Sequence, residues 1–150
     1  MKRTRIMSFA VASLIACPVI AFGADKVPDV TGKWAGKSYS IIAGSGAHWP
    51  TNKGTFDKPG LSEKDLLITV TGQDGRRFWG VTTLSGNGEK TDEPFIGELH
   101  GKHLQNVLVA DTDGYLSGEI NGNVLSFCYA QAGGKGSVSV VSCSEVKHQH

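Results

Sequence analysis

Leu66–Leu84 reads LLITVTGQDGRRFWGVTTL. Two runs rich in β-branched and aromatic residues flank Gln73-Asp74-Gly75-Arg76. Asp-Gly between such runs is a strong hairpin signal, because a tight turn needs a positive φ that glycine adopts without steric cost. The same grammar continues toward the C-terminus. Pro94–His100 reads as a strand, Gly101-Lys102 as a tight turn and His103–Ala110 as the next strand. Asp111-Thr112-Asp113-Gly114 then turns the chain into Tyr115–Ile120, and Asn121-Gly122 turns it again. Val124–Ala132 and Ser137–Lys147 close the chain through Gly133-Gly134-Lys135-Gly136. On the N-terminal side Thr31–Ile42, TGKWAGKSYSII, is the first strand, with Lys33 and Lys37 on one face and Trp34, Gly36 and Ser38 on the other. The sum is eight strands in meander order with no amphipathic helix.

Two stretches break the pattern. Ala43–Glu63 carries Gly44, Gly46, Pro50, Gly54, Pro59 and Gly60 without a period of either kind, and is expected to be a long loop of functional interest. Ser85–Glu93, with Gly86, Asn87 and Gly88, reads as a second polar loop.

The last hairpin fixes its own register. Leu125, Phe127 and Tyr129 share one face of Val124–Ala132, while Ser126 and Cys128 share the other. In Ser137–Lys147, Val138, Val140 and Val146 oppose Cys143, Glu145 and Lys147. With Lys135-Gly136 central to the turn, Cys128 stands directly across from Cys143 on the charged outer face, within reach of a disulfide.

Composition adds a location. Lys2, Arg3 and Arg5 precede an apolar run from Ile6 to Phe22, and Ala21 and Gly23 are small residues placed for cleavage. Residues 1–24 therefore read as a signal peptide and 25–150 as one β-barrel domain in the periplasm or secreted. The alternative is a lipoprotein: Leu14-Ile15-Ala16-Cys17 resembles a lipobox and would anchor Cys17 to the envelope. No later run approaches the ~20 apolar residues of a membrane span. Of the 150 residues, those after the leader hold 12 Lys and Arg against 14 Asp and Glu, a net charge of −2. No basic run exists to neutralise phosphates, so nucleic acid is not an expected partner. An even pair of cysteines in an oxidising compartment makes a disulfide the default over metal ligation.

Eight antiparallel strands leave two open edges unless the sheet closes on itself, so the expected fold is an all-β, eight-stranded antiparallel up-and-down barrel. Gly32-Lys33-Trp34 resembles the Gly-x-Trp that opens the calycin families: lipocalins, fatty-acid-binding proteins, avidins and a bacterial metalloprotease-inhibitor family. Thr31-Gly32-Lys33-Trp34 is most similar to avidin and streptavidin. The Gln-Asp-Gly-Arg hairpin and late cysteine pair also look like exported bacterial proteins. The resemblance implies that Trp34 packs a barrel end and that the fold binds rather than catalyses. Lipocalins set a last-strand Arg against that Trp, and Lys147 is the candidate here. With Trp34, Trp49 and Trp79 the only tryptophans, biotin is a poor fit.

Local chemistry is sparse. Asp111-Thr112-Asp113-Gly114 begins like a calcium loop, but Leu116 and Gly122 stand where its glycine and glutamate belong, so an Asx turn is expected. His100 with His103, and His148 with His150 on a frayed tail, read as surface histidines. No nucleophile elbow, zinc-protease motif or phosphate loop is found, and neither an enzyme, a cofactor nor a metal is expected. Candidate ligand contacts are His48 and Trp49 in the long loop, Arg76, Arg77 and Trp79 after the hairpin turn, and Tyr129. Trp49 is either a plug in the barrel mouth or a lid over a ligand, meeting Trp79 or Arg77 there. The first functional reading is therefore a module binding a small apolar or amphipathic ligand at the mouth. The second is a protein-binding inhibitor or envelope interaction factor acting through a barrel end or loops. Interior volume separates them, since a barrel filled by Phe78, Phe95, Leu99, Phe127 and Tyr129, with a cavity below a few hundred Å3, has no room for such a ligand.

Overall fold

The structure, a computed structural model, describes residues 26–46, 48–133 and 138–150. The leader with Cys17, and most of the Gly133–Gly136 turn, lie outside them. Nine strands form one antiparallel sheet: β1 Gly32–Gly46, β2 Trp49–Gly54, β3 Gly60–Asp74, β4 Arg77–Gly86, β5 Glu89–His100, β6 Asn106–Ala110, β7 Tyr115–Asn121, β8 Val124–Gln131 and β9 Ser139–Gln149. β1 pairs with both β3 and β9, which closes eight strands into a barrel, and β2 is an added hairpin arm on the end of β1. Among the described residues no helix is long and apolar enough to cross a membrane.

Register fixes the barrel's dimensions. A path along hydrogen-bonded partners runs from Leu61 through Ile41, Val141, Ala130, Tyr115, Ala110, Ile96 and Trp79, and returns to β3 at Gly72. Allowing for the bulge between Val70 and Gly72, the shear is ten residues. With ordinary strand spacings this tilts the strands by about 40° and leaves a backbone tube of about 8 Å radius, which side chains fill.

Alternation does the filling. Trp34, Ile42, Leu66, Ile68, Val70, Phe78, Phe95, Leu99, Val107, Phe127 and Val146 are all buried. Lys33, Lys37, Glu63, Asp65, Glu145 and Lys147 point outward, the reverse of a lipid-embedded barrel. Inside, glycines face large residues across strand pairs: Gly80 opposes Phe95, Gly97 opposes Phe78 and Gly118 opposes Phe127. A Cβ on Gly97 would stand 2.5 Å from the Phe78 ring, so the small residue is the condition for the large one.

The hairpin that opened the reading forms as expected. Leu66 pairs with Leu84 and Asp74 with Arg77, and Gly75 takes φ +58° in the turn. The Asp111 turn is an Asx turn, with Oδ1 accepting from the backbone N–H of Asp113 at 2.9 Å and Gly114 at 2.6 Å. Cys128 pairs with Cys143 in the register read from the sequence, and the two form a disulfide on the outer face.

Several expectations need correction. Ala43–Glu63 is largely sheet: β1 runs on to Gly46, β2 folds back on it, and β3 starts at Gly60. Gly44, at φ +97°, permits the irregular pairing of β1 with β2, and Thr55–Lys58 makes a compact turn. Ser85–Glu93 is a tight hairpin around Asn87 and Gly88, at φ +54° and +79°, the conformation that Asn-Gly favours. The turn after His100 is longer than Gly101-Lys102, and β6 starts only at Asn106, because Leu104 folds inward to close that barrel end at φ +54°. Finally, the C-terminal histidines do not all fray: β9 runs through His148.

That same end holds Trp34. Its indole Nε1–H donates to the Val30 carbonyl at 3.1 Å, and the Gln73 amide bonds both Val30 N–H and the Pro28 carbonyl, strapping the N-terminal segment across the opening. The last-strand partner of Trp34 is His148, not Lys147, which faces water on the outer side. Its ring stands edge-on at 4.7 Å, and its Nε2–H donates to the Thr31 carbonyl at 2.9 Å.

Candidate binding surfaces

The opposite end is polar, and Lys64 is its centre. It belongs to the inward series Lys64, Leu66, Ile68, Val70 and is 3 % exposed. A buried ammonium is costly unless acceptors replace water. Here Nζ donates to the His48 carbonyl at 2.6 Å and to Glu89 Oε2 at 3.0 Å, tying the β1–β2 arm to the β4–β5 hairpin. His48 is also buried; its Nδ1 meets Thr91 Oγ1 at 2.5 Å and its Nε2 lies 3.7 Å from Glu93 Oε2. Glu93 accepts from the Thr112 hydroxyl, and Tyr129 donates to Asp111 Oδ1 at 3.3 Å. Burial first, then the charge of Asp111, pushes the Tyr129 phenol above its ordinary pKa. Ser38, bonded to Ser142 at 2.8 Å and to Ser40 at 3.2 Å, continues this polar layer into the tube.

Beneath this layer a cavity of about 60 Å3 is walled by Trp49, Phe95, Phe127 and Tyr129, with Glu93, Asp111, His48, Ser38 and Ser142 on its polar side. A second space of about 30 Å3 lies toward Trp34. Pockets for drug-sized ligands run to hundreds of Å3, so the interior as it stands takes waters or a molecule of a few heavy atoms. Trp49 is 3 % exposed and its ring stands edge-on to His48 at 5.6 Å. Its indole N–H, shielded from solvent, has no acceptor among the described residues.

Of the candidate contacts, the fold therefore joins His48, Trp49 and Tyr129 in one wall. Arg76, Arg77 and Trp79 do not meet Trp49. Arg76 is exposed in the first hairpin turn, where its carbonyl accepts from Leu99 N–H, and Arg77 pairs in solvent with Asp74. Trp79 lies on the outer surface over Gly72, beside Ile96.

The outer surface carries a feature that periodicity alone did not reveal. Leu61, Ile41, Val141, Ala130 and Tyr115 are direct cross-strand partners across five strands, all facing out. Phe56, in the turn after β2, lines the same groove with Pro59. Phe56 is 84 % exposed and Leu61 78 %. Tyr39, two residues from Ile41, extends the patch toward the disulfide. A second apolar groove, with Trp79, Ile96 and Leu108, lies farther round the barrel.

No family model, curated protein or solved structure matches the chain.

Sequence reading missed Lys64, Glu89, Thr91 and Glu93 as site residues. The signal for Lys64 was present, since counting back by two from Leu66 places it inside the tube. The three others sit in the Ser85–Glu93 stretch, where the dense Gly86-Asn87-Gly88 run hides their inward alternation.

Proposed function

We propose that this chain is an exported, non-catalytic binding module, a barrel of calycin type that engages another protein of the same compartment through its outer apolar face. The observation that carries this reading is the Leu61–Ile41–Val141–Ala130–Tyr115 row with Phe56 beside it. At aromatic surfaces of about 200 Å2 each, the exposed fractions of Phe56, Tyr39 and Tyr115 (84 %, 58 % and 57 %) leave on the order of 400 Å2 in water. Leu61, Ile41 and Val141 take the patch to or beyond the largest usual on a monomer, roughly 300–600 Å2. A stable protein interface needs about 800 Å2 per partner, which the patch approaches with its charged rim of Lys37, Glu63 and Asp65. The filled interior supports the same choice, because a carrier of apolar molecules needs a cavity several times larger than about 60 Å3. The periplasmic or secreted location rests on the leader, and the disulfide is compatible with it.

The test is site-specific photocrosslinking in the intact cell envelope. A photoreactive residue at Leu61 or Val141 should capture one discrete protein, while the same residue at Lys102, in the turn at the far end, should not. Adducts absent from both faces, or equal from both, would defeat the proposal. An adduct of twice the chain's own mass would replace the partner with a second copy.

A further inference from the structure

The cavity under Trp49 holds one buried polar atom, the Trp49 indole N–H, that no bond among the described residues accounts for, and it is separate from the outer face. Two carboxylates, Glu93 and Asp111, line it, and among the described residues the only basic side chain in its wall is His48. Lys64 is already engaged by Glu89 and the His48 carbonyl. Asp111 Oδ1 is taken by two backbone N–H groups and the Tyr129 hydroxyl, and among the described residues no bond is made by its Oδ2; Glu93 accepts from the Thr112 hydroxyl and lies 3.7 Å from His48 Nε2. This wall is rich in acceptors and negative charge. Independently, the buried Trp49 indole N–H has no acceptor among the described residues. A desolvated donor without a partner costs about 1–3 kcal/mol, so an occupant that offers an oxygen there recovers that loss. Aromatic walls from Trp49, Phe95 and Phe127 favour a cation over a neutral molecule of the same size.

The geometry points to a binding site for a small protonated amine that also carries an oxygen acceptor, an amino alcohol of a few heavy atoms, held by Glu93 and Asp111 at its ammonium and by the Trp49 indole N–H at its oxygen. The size of the cavity, about 60 Å3, excludes anything much larger unless the β1–β2 arm moves. Nothing in this assignment depends on the outer apolar face, so either proposal can fail alone.

The experiment follows the three indole N–H resonances of the 15N-labelled mature protein by NMR, with the Trp49 signal identified by its loss in Trp49→Phe. Ethanolamine is the probe, and ethylene glycol is the uncharged control of matching size. Ethanolamine should shift the Trp49 signal saturably while the Trp34 and Trp79 signals stay still. Ethylene glycol should bind at least about tenfold more weakly, the factor expected when a charge-assisted bond worth about 1.5–3 kcal/mol is lost. Glu93→Gln should weaken ethanolamine by a similar factor, and Asp111→Asn serves the same purpose if the first variant fails to fold. No saturable shift at Trp49, equal binding of the two probes, or a shift confined to Trp79 would overturn the assignment. The first of these results would leave ordered water as the partner of the indole.

Discussion

Replacing Trp49 with Ala separates a plug from a lid by stability alone. An indole buried to 3 % exposure removes about 200 Å2 of mostly apolar surface from water, about 5 kcal/mol at 25 cal/mol per Å2. Its unpartnered N–H gives back about 1–2 kcal/mol of desolvation. The net loss for Trp49→Ala is therefore about 3 kcal/mol, at the lower end of measured aromatic truncations. Trp49→Phe keeps most of the ring contact and removes the orphan donor, so it should cost less than about 1 kcal/mol. Equilibrium unfolding in urea at neutral pH, followed by far-ultraviolet circular dichroism with the disulfide intact, measures both. Far-ultraviolet detection avoids the change in fluorescence that losing a tryptophan brings. A loss below about 1 kcal/mol for Trp49→Ala would refute the reasoning, because it would mean that the β1–β2 arm opens freely and that Trp49 stabilises little.

Further outcomes follow from other parts of the fold. Cys143→Ala should lower stability by about 2–3 kcal/mol, since the bridge spans 15 residues of an already paired hairpin, and guanidinium titrations with and without reductant should give the same difference. Gly80→Ala should cost at least about 3 kcal/mol and is read by thermal melting: a Cβ there would stand 2.0 Å from the Thr69 backbone oxygen, which cannot turn aside. A neutral result would mean that the strand packing is looser than described. Tyr129, held above its ordinary pKa by burial and Asp111, keeps its proton on folding. Its contribution is complete below the unfolded value of about 10 and is lost as pH rises through the folded value, so Tyr129→Phe should flatten the alkaline fall in stability. Asp29, held below its usual pKa by the Thr31 hydroxyl and then the Thr31 N–H, acts in the opposite sense. Its contribution is present at neutral pH and fades as pH falls below about 4, so Asp29→Asn should melt alike at acidic and neutral pH in this respect.

Much of the barrel could be read from alternation because one face of every long strand is buried. Leu125-Phe127-Tyr129 against Ser126-Cys128 fixed a face, and placing Cys128 across from Cys143 fixed a register that the structure reproduces. Legibility failed where glycine and proline are dense. Asn87-Gly88 is a hairpin turn signal, but Gly86 beside it and the charged Glu89-Lys90 after it made the segment look like loop. β2, Trp49-Pro50-Thr51-Asn52-Lys53-Gly54, is too short to show a period, and only its pairing with the end of β1 makes it a strand. The polar mouth was missed for a related reason, as Lys64 and Glu89 become mutual partners only when β3 and the β4–β5 hairpin close over them. Conversely, Arg77 and Trp79 share the outer face of β4 beside Asp74, and Arg76 stands exposed in the turn, so the cluster seen in the sequence lies away from Trp49. The outer apolar row was invisible for a simpler reason: Leu61, Ile41, Val141 and Tyr115 are far apart in the chain, and only the ten-residue shear aligns them.

Native mass spectrometry of the protein taken from its own cell envelope tests the central claim, a filled barrel that works from its outer face. The mature chain should appear either alone, with at most an adduct the size of a small amine, or in complex with another protein, the complex vanishing in Leu61→Asp. A folded monomer retaining an organic molecule the size of a fatty acid or larger, unaffected by Leu61→Asp, would contradict it.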